Sequence, residues 1–213
     1  SKTIGRNPIR VQVPSSAHMN KINHETDRVN LAYVIGIAMG DGNLSNPNGR
    51  ATRLRITCDN KYPRLIKNII SSVQKLLPDN KVSLVKRGDN CMDISCYSNK
   101  LEDFLEWRVG SGSKYKQKIS VPRWIKSKRK FKISCLKGLF ETDGSIYMDR
   151  KYLMASFVTI IPTLSKDVMK MIESLDFKPN IQKFKQENGK IKHTIRISKN
   201  TEKFIKLINI EKE

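Results

Sequence analysis

Apolar positions in this chain follow two periods that take turns. Residues 31–40, LAYVIGIAMG, are apolar almost throughout and stop at Asp41-Gly42, and residues 136–144, LKGLFETDG, close the same way at Asp143-Gly144. Each run predicts a helix. After each comes a segment with apolar residues at helical spacing: Leu65, Ile69, Ile70, Val73, Leu76 and Leu77 within 62–78, and Leu164, Val168, Met169, Ile172 and Leu175 within 161–177. Between and beyond these helices the period drops to two. In RLRITC, Leu54, Ile56 and Cys58 alternate with Arg53, Arg55 and Thr57. Residues 82–97 predict a hairpin turning at RGDN, and residues 181–198 one turning at QENG. NPNG (46–49) and MDRK (148–151) predict the turns of two further hairpins, and short amphipathic helices at 101–107 and 201–208 close each half.

The halves are copies of one pattern. Laying VIGIAMGDG (34–42) over LKGLFETDG matches Gly36 with Gly138, Asp41 with Asp143 and Gly42 with Gly144, at an offset of 102 residues. Each half reads helix, hairpin, helix, hairpin, helix, so the chain is an internal duplication with a pseudo-two-fold axis. The expected organisation is a basic N-terminal extension over 1–28, a first repeat over 29–109, a linker over 110–132 and a second repeat over 133–213.

Composition narrows the partner. The 213 residues hold 41 Lys plus Arg against 20 Asp plus Glu, a net charge of +21. Such an excess repels itself in the compact state and points to a polyanion, nucleic acid first. The basic residues are spread along the whole chain, unlike a membrane-surface helix, and no apolar run approaches the roughly 20 residues of a span. Cys58, Cys91, Cys96 and Cys135 form no CxxC pair, so reduced thiols in an intracellular setting are expected rather than zinc. His18, His24 and His193 are too scattered to form a ligand set.

The two Asp-Gly endings raise a chemical question. A helix C-terminus carries partial negative charge and disfavours a carboxylate by up to ~1 kcal/mol. Gly36 and Gly40 are four residues apart, as are Gly138 and Thr142. Small residues at that spacing let two helices approach closely. If the motif helices cross along these stripes, Asp41 and Asp143 converge, and the negative spot needs a counter-charge. A divalent cation bound by oxygen ligands supplies one, and on a nucleic-acid-binding chain this suggests phosphodiester hydrolysis.

LKGLFETDG, and more loosely VIGIAMGDG, resemble the motif of single-chain LAGLIDADG homing endonucleases; the likeness covers about residues 29–210 and includes VPRWI (121–125). Met39 stands where that family often has an acid. The resemblance implies an α+β fold of tandem αββαββα repeats, with two antiparallel saddle-shaped sheets on DNA and the motif helices at the repeat interface. It implies a monomer that cleaves double-stranded DNA across the minor groove of a long, asymmetric site. Mg²⁺ would be the cofactor, with Mn²⁺ or Ca²⁺ substituting in binding, held by Asp41, Asp143 and the carbonyls of Gly40 and Thr142. It also implies a basic residue near each scissile phosphate. Aligning Val82 with Ile181 selects Lys86 and Lys185, each otherwise a phosphate contact.

A sheet lying on DNA needs one apolar and one polar face. Alternation assigns to the polar face Arg53, Arg55 and Thr57, then Asp93, Ser95 and Tyr97, and in the second repeat Lys192, Thr194, Arg196 and Ser198, with Lys183 beside them as a further DNA contact. The strand YLMASFVTI shows no clear polar face. Lys114, Lys116, Lys118, Lys126, Lys128, Arg129 and Lys130 are expected on phosphates or flanking the duplex, and Arg6 and Arg10 in an arm along it. The rival reading on the same fold is a non-cleaving binder, either an RNA maturase or a DNA-binding regulator.

Overall fold

The computed structural model describes residues 24–211, so the extension with Arg6 and Arg10 lies largely outside the described residues. The element order is α1 (Glu25–Gly40), β1 (Gly42–Ser45), β2 (Arg53–Asp59), α2 (Pro63–Leu76), β3 (Val82–Lys86), β4 (Cys91–Tyr97) and α3 (Leu101–Leu105). After a short α4 (Arg123–Ser127) the pattern repeats as α5 (Arg129–Asp143), β5 (Gly144–Asp149), β6 (Tyr152–Thr159), α6 (Pro162–Glu173), β7 (Asn180–Lys185), β8 (Ile191–Ile197) and α7 (Thr201–Ile208). The strands form two four-stranded antiparallel sheets, ordered β1-β2-β4-β3 and β5-β6-β8-β7. This is the α+β duplication that the periodicity predicts.

Helix α1 already begins at Glu25, inside the expected extension, and α5 begins at Arg129, inside the expected linker. The basic run 126–132 conceals an apolar anchor: Phe131 is buried and meets Trp124 edge-on at 5.3 Å between ring centroids. A window dominated by Lys and Arg therefore still has one side chain that packs, which is enough to start a helix.

Helices α1 and α5 cross at the centre of the molecule, between the two sheets. Nine consecutive residues of α1, Leu31 to Met39, are buried, because both of its flanks are covered and no solvent face remains. The crossing is set by glycine. A Cβ placed on Gly138 would lie 2.5 Å from the Tyr33 carbonyl oxygen and 2.7 Å from the Ile37 nitrogen, and one on Gly36 would run into the Cys135 carbonyl. Backbone rests directly on backbone, and Ser134 Oγ donates to the Val29 carbonyl across the same seam at 2.7 Å.

The middle helices α2 and α6 turn their apolar faces to the sheets. Leu65, Ile69 and Val73 of α2 are buried, as are Leu164, Val168 and Ile172 of α6, together with Met171, which the spacing argument had passed over. His193 of β8 is covered by α6, and its Nδ1 lies 3.0 Å from Ser165 Oγ. Burial, helped by the nearby Lys183 charge, holds its imidazole below the ordinary value of 6.5. The unfolded chain therefore takes up this proton at a higher pH than the native state does, so the stability contributed here is present above pH 6.5 and lost as pH falls below it. We expect the stability advantage of wild type over His193→Gln to shrink between pH 7.5 and 5.5, measured by urea denaturation.

The one acid buried in the seam is also paired across it. Tyr33 of α1 donates through its hydroxyl to Glu141 Oε2 of α5 at 2.6 Å, and the Glu211 backbone N–H donates to Glu141 Oε1 at 2.9 Å. Lys137 stands 3.7 Å from the same carboxylate. Burial still pushes Glu141 above the ordinary carboxylate value, with the Tyr33 hydrogen bond opposing it. Met39, its counterpart in the first repeat, is buried and apolar. Tyr33→Phe leaves a buried carboxylate short of a donor and is expected to destabilise by about 1–3 kcal/mol. A double-mutant cycle with Glu141→Gln, followed by denaturant melts, measures the coupling.

Candidate metal and nucleic-acid site

Asp41 and Asp143 end the two central helices. Asp41 caps α1, its N–H donating to the Ile37 carbonyl at 3.0 Å, while Asp143 is the last residue of α5. The close approach at Gly40 brings them together: a Cβ there would collide with the Thr142 side chain and stand 3.2 Å from Asp143 Oδ2. The carboxylate of one repeat thus rests against the backbone of the other. Thr142 Oγ1 donates its proton back to the Gly138 and Leu139 carbonyls, both at 3.0 Å.

A cleft of about 450 Å³ opens beside the pair, lined by Met39, Gly40, Lys114, Tyr115, Asp143 and Lys192 among others. Lys114 reaches into it from the segment joining the repeats. Its ammonium donates to the Met39 carbonyl at 2.7 Å, to the Ala38 carbonyl at 3.3 Å, and to the Gly40 carbonyl. These carbonyls end α1; that of Ala38 also accepts from the Asp41 N–H, whereas helix geometry leaves those of Met39 and Gly40 short of partners. Burial pushes the Lys114 ammonium below its usual value, and the charges of Asp143 and Asp41 pull it back up. Sequence reasoning placed Lys114 among phosphate contacts, because nothing local distinguishes it from its basic neighbours.

Two comparisons bear on this architecture. A model of the LAGLIDADG-like domain matches residues 130–209, and one of the WhiA LAGLIDADG-like domain matches residues 30–106. The chain is a two-repeat LAGLIDADG protein. Among solved structures it is similar to the homing endonuclease I-DmoI in complex with DNA and Ca, at 22% identity and a TM-score of 0.65, covering 86% of this chain and 91% of that one. It is similar too to full-length DUF199/WhiA from Thermatoga maritima, at 13% identity and a TM-score of 0.61, covering 92% of this chain and 61% of that one. The N-terminal LAGLIDADG domain of DUF199/WhiA matches at 13% identity and a TM-score of 0.58, covering 93% and 94%. A search of curated protein sequences returned no match.

The LAGLIDADG helices carry two sheets whose faces are now assigned by register. In the first, Arg53, Arg55 and Thr57 alternate with buried Leu54, Ile56 and Cys58, and Asp93, Ser95 and Tyr97 pair opposite them on the same outer face. This face is already knitted together. Thr57 Oγ1 donates to Asp93 Oδ1 at 2.6 Å, Arg55 and Arg87 lie 3.9 and 3.7 Å from that carboxylate, and Arg53 Nε donates to Ser45 Oγ at 3.2 Å. In the second sheet, Phe157 and Ala155 face the core, so Met154, Ser156 and Val158 share the outer face with Lys192, Thr194 and Arg196. That answers the register of YLMASFVTI. Its pattern looked featureless because its outer face carries only Ser156 as a polar residue between Met154 and Val158. Ser198 lies exposed just past β8.

The lysines fare differently. Tracing Gly42–Ile56–Ile94–Leu84 across the first sheet and Gly144–Phe157–Ile195–Ile181 across the second gives an offset of 97 for this strand, not 99. Lys86 therefore corresponds to Lys183, and Lys185 lies two rows farther along a longer hairpin. Lys86 pairs with Met92, Lys183 with His193 and Lys185 with Ile191, which share a face with core residues Ile94 and Ile195. All three lysines thus sit on the helix side of the edge strands, opposite Arg55 and Arg196. From the β7–β8 hairpin, Lys190 and Lys192 line the cleft beside Asp143. Three linker lysines are ion-paired in the free chain: Lys126 with Asp167 at 2.9 Å, Lys128 with Glu25 at 3.1 Å, and Lys130 also with Glu25.

The donors at the helix ends suit a hard cation. Two carboxylates and nearby backbone carbonyls are oxygen ligands, and among the described residues no group of three or more His, Cys, Asp or Glu side chains converges. A cation at the acid pair would take its remaining ligands from water and phosphate. None of the described helices is long and apolar enough to cross a membrane.

Proposed function

We propose that this protein is a site-specific endonuclease that hydrolyses both strands of a long, asymmetric DNA duplex across its minor groove, acting as a monomer. The observation that carries the reading is Asp143 set against Gly40, the neighbour of Asp41, where α1 and α5 converge on a chain of charge +21. The structures of I-DmoI with DNA in the presence of Ca, Mg and Mn support it.

Each part of the chain then has a task. Asp41 and Asp143, with the carbonyls of Gly40 and Thr142, hold a divalent cation, Mg²⁺ by preference. Bound there, the metal supplies an activated water and charge stabilisation for the leaving oxygen. Arg53, Arg55, Lys192 and Arg196 hold phosphates or read base edges. The Asp93 carboxylate, 3.9 Å from Arg55, restrains that side chain before DNA arrives, which lowers the ordering cost of binding. Lys86 and Lys185 are given no catalytic role, since both lie on the helix side of their sheets.

A second reading, a non-cleaving binder of DNA or RNA, is favoured by the Lys114 ammonium on the Gly40 carbonyl, a position that a metal would otherwise use. Incubating the full chain with a randomised duplex library and Mg²⁺ separates the two. The nuclease reading predicts one long site recovered with staggered ends. Tight retention of duplexes without any cut ends would establish the binder.

A further inference from the structure

A cation already stands at the end of α1 beside the acids, and it is covalently attached. Lys114 comes from the segment joining the repeats, yet its ammonium caps the α1 C-terminus through the Ala38, Met39 and Gly40 carbonyls. Asp143 and Asp41 both act on its charge. Tyr115, next in sequence, lines the same cleft and carries Lys190 over its ring at 5.2 Å. The segment holding Lys114 is itself anchored. Gln117 donates to the Arg108 and Gly112 carbonyls at 2.9 and 2.8 Å, and the Ile119 N–H donates to the Lys114 carbonyl at 3.2 Å. Lys114 is thus held at the site by structure on both sides of it.

We propose that Lys114 is a resident counter-cation that competes with divalent metal at the Asp41–Asp143 site. The argument is electrostatic and steric together. A positive charge beside the pair weakens its attraction for a second cation, and the ammonium occupies the Gly40 carbonyl that a metal would share. In the free protein Lys114 offsets part of the charge of the two acids, and the site binds metal weakly. When DNA brings phosphate oxygens to the cleft, these give the ammonium an alternative partner, the carbonyls are released, and metal affinity rises. Metal loading is thereby coupled to DNA binding, which keeps the free enzyme from holding a charged, cleavage-ready centre.

This inference rests on the metal-site reading above, and one experiment separates their failures. Mn²⁺ binding to the full chain without DNA is followed by the loss of the free-ion EPR signal for wild type, Lys114→Met, Lys114→Gln and Lys114→Gln/Asp143→Asn. The expected result is Mn²⁺ affinity at least ~10-fold tighter in both single variants, and lost in the double variant. Melting in EDTA and in Mn²⁺ gives a second readout. Without metal the single variants melt below wild type, because α1 loses its cap and the carboxylates their counter-charge, and Mn²⁺ restores them. Lys114→Gln keeps a donor for one carbonyl, so it supplies the test where Lys114→Met fails to fold. Equal or weaker Mn²⁺ affinity in the single variants overturns the role of Lys114 and leaves the metal site standing. No Mn²⁺ bound by any of the four proteins overturns both.

Discussion

On the endonuclease reading proposed above, Asp143→Asn is expected to reduce DNA cleavage by ~10³-fold or more while changing DNA affinity less than tenfold. Both halves follow from the position of the side chain. It ends α5 against the backbone of Gly40, so it serves both repeats at once, and removing its charge halves the formal anionic charge available to a cation. A rate loss of that size corresponds to about 4 kcal/mol of transition-state stabilisation, within the range of a missing metal ligand. Binding has no such dependence. The outer faces that carry Arg53, Arg55 and Arg196 lie on separate strands, and a carboxylate lost near phosphates relieves repulsion instead of adding it. The measurement is single-turnover cleavage at saturating enzyme, with fluorescence anisotropy on the same duplex. Asp41→Asn should behave alike, because the pseudo-two-fold axis relates the two ends. A variant that cut at the wild-type rate would show that the pair is not the reacting centre.

Gly138→Val is expected to cost at least ~3 kcal/mol and to abolish a single cooperative melt. A Cβ at 138 would lie within 2.5–2.7 Å of the Tyr33 oxygen and Ile37 nitrogen, all of it backbone within the buried stretch of α1. No rotamer change relieves such an overlap, so α1 and α5 must separate, and overpacking penalties of 1–3 kcal/mol are a lower bound here. Separation also lengthens the buried Tyr33–Glu141 hydrogen bond and moves Asp41 away from Asp143. The comparison is Gly49→Val, where a Cβ meets open space and the cost comes from positive φ at an exposed turn alone. Urea denaturation of the two variants separates seam packing from backbone strain. Melting of Gly138→Val within 1 kcal/mol of wild type, itself about the size of a single lost hydrogen bond, would place the seam elsewhere.

Local pattern was enough to read most of the fold. Helices α2 and α6 show the 3.6-residue period, β2 and β4 the alternation, and each hairpin turn carries Gly, Asn or Asp where the chain reverses. The duplication exposed the Asp-Gly endings as a pair, and small residues at four-residue spacing implied that their helices touch. All of this is short-range information, since the side-chain period of an element is written in the residues of that element. Where one buried side chain sat inside a charged run, as Phe131 does, the average of the window hid the start of α5.

Other features exist only once distant segments meet. The strand offset of 97 depends on hairpin lengths in two sheets and makes Lys183, not Lys185, the counterpart of Lys86. Asp93 becomes an organiser of Arg55, Arg87 and Thr57 through pairing across three strands. Lys114 is one of 41 basic residues in the chain and becomes singular only because the joining segment folds back onto α1. The sequence by itself determined the repeat, its elements and the two acids, because periodicity and matched motifs are local. Tertiary structure decided which cation stands beside those acids and which face each lysine presents, because both depend on contacts between residues about 75 or more positions apart in the chain or in separate strands.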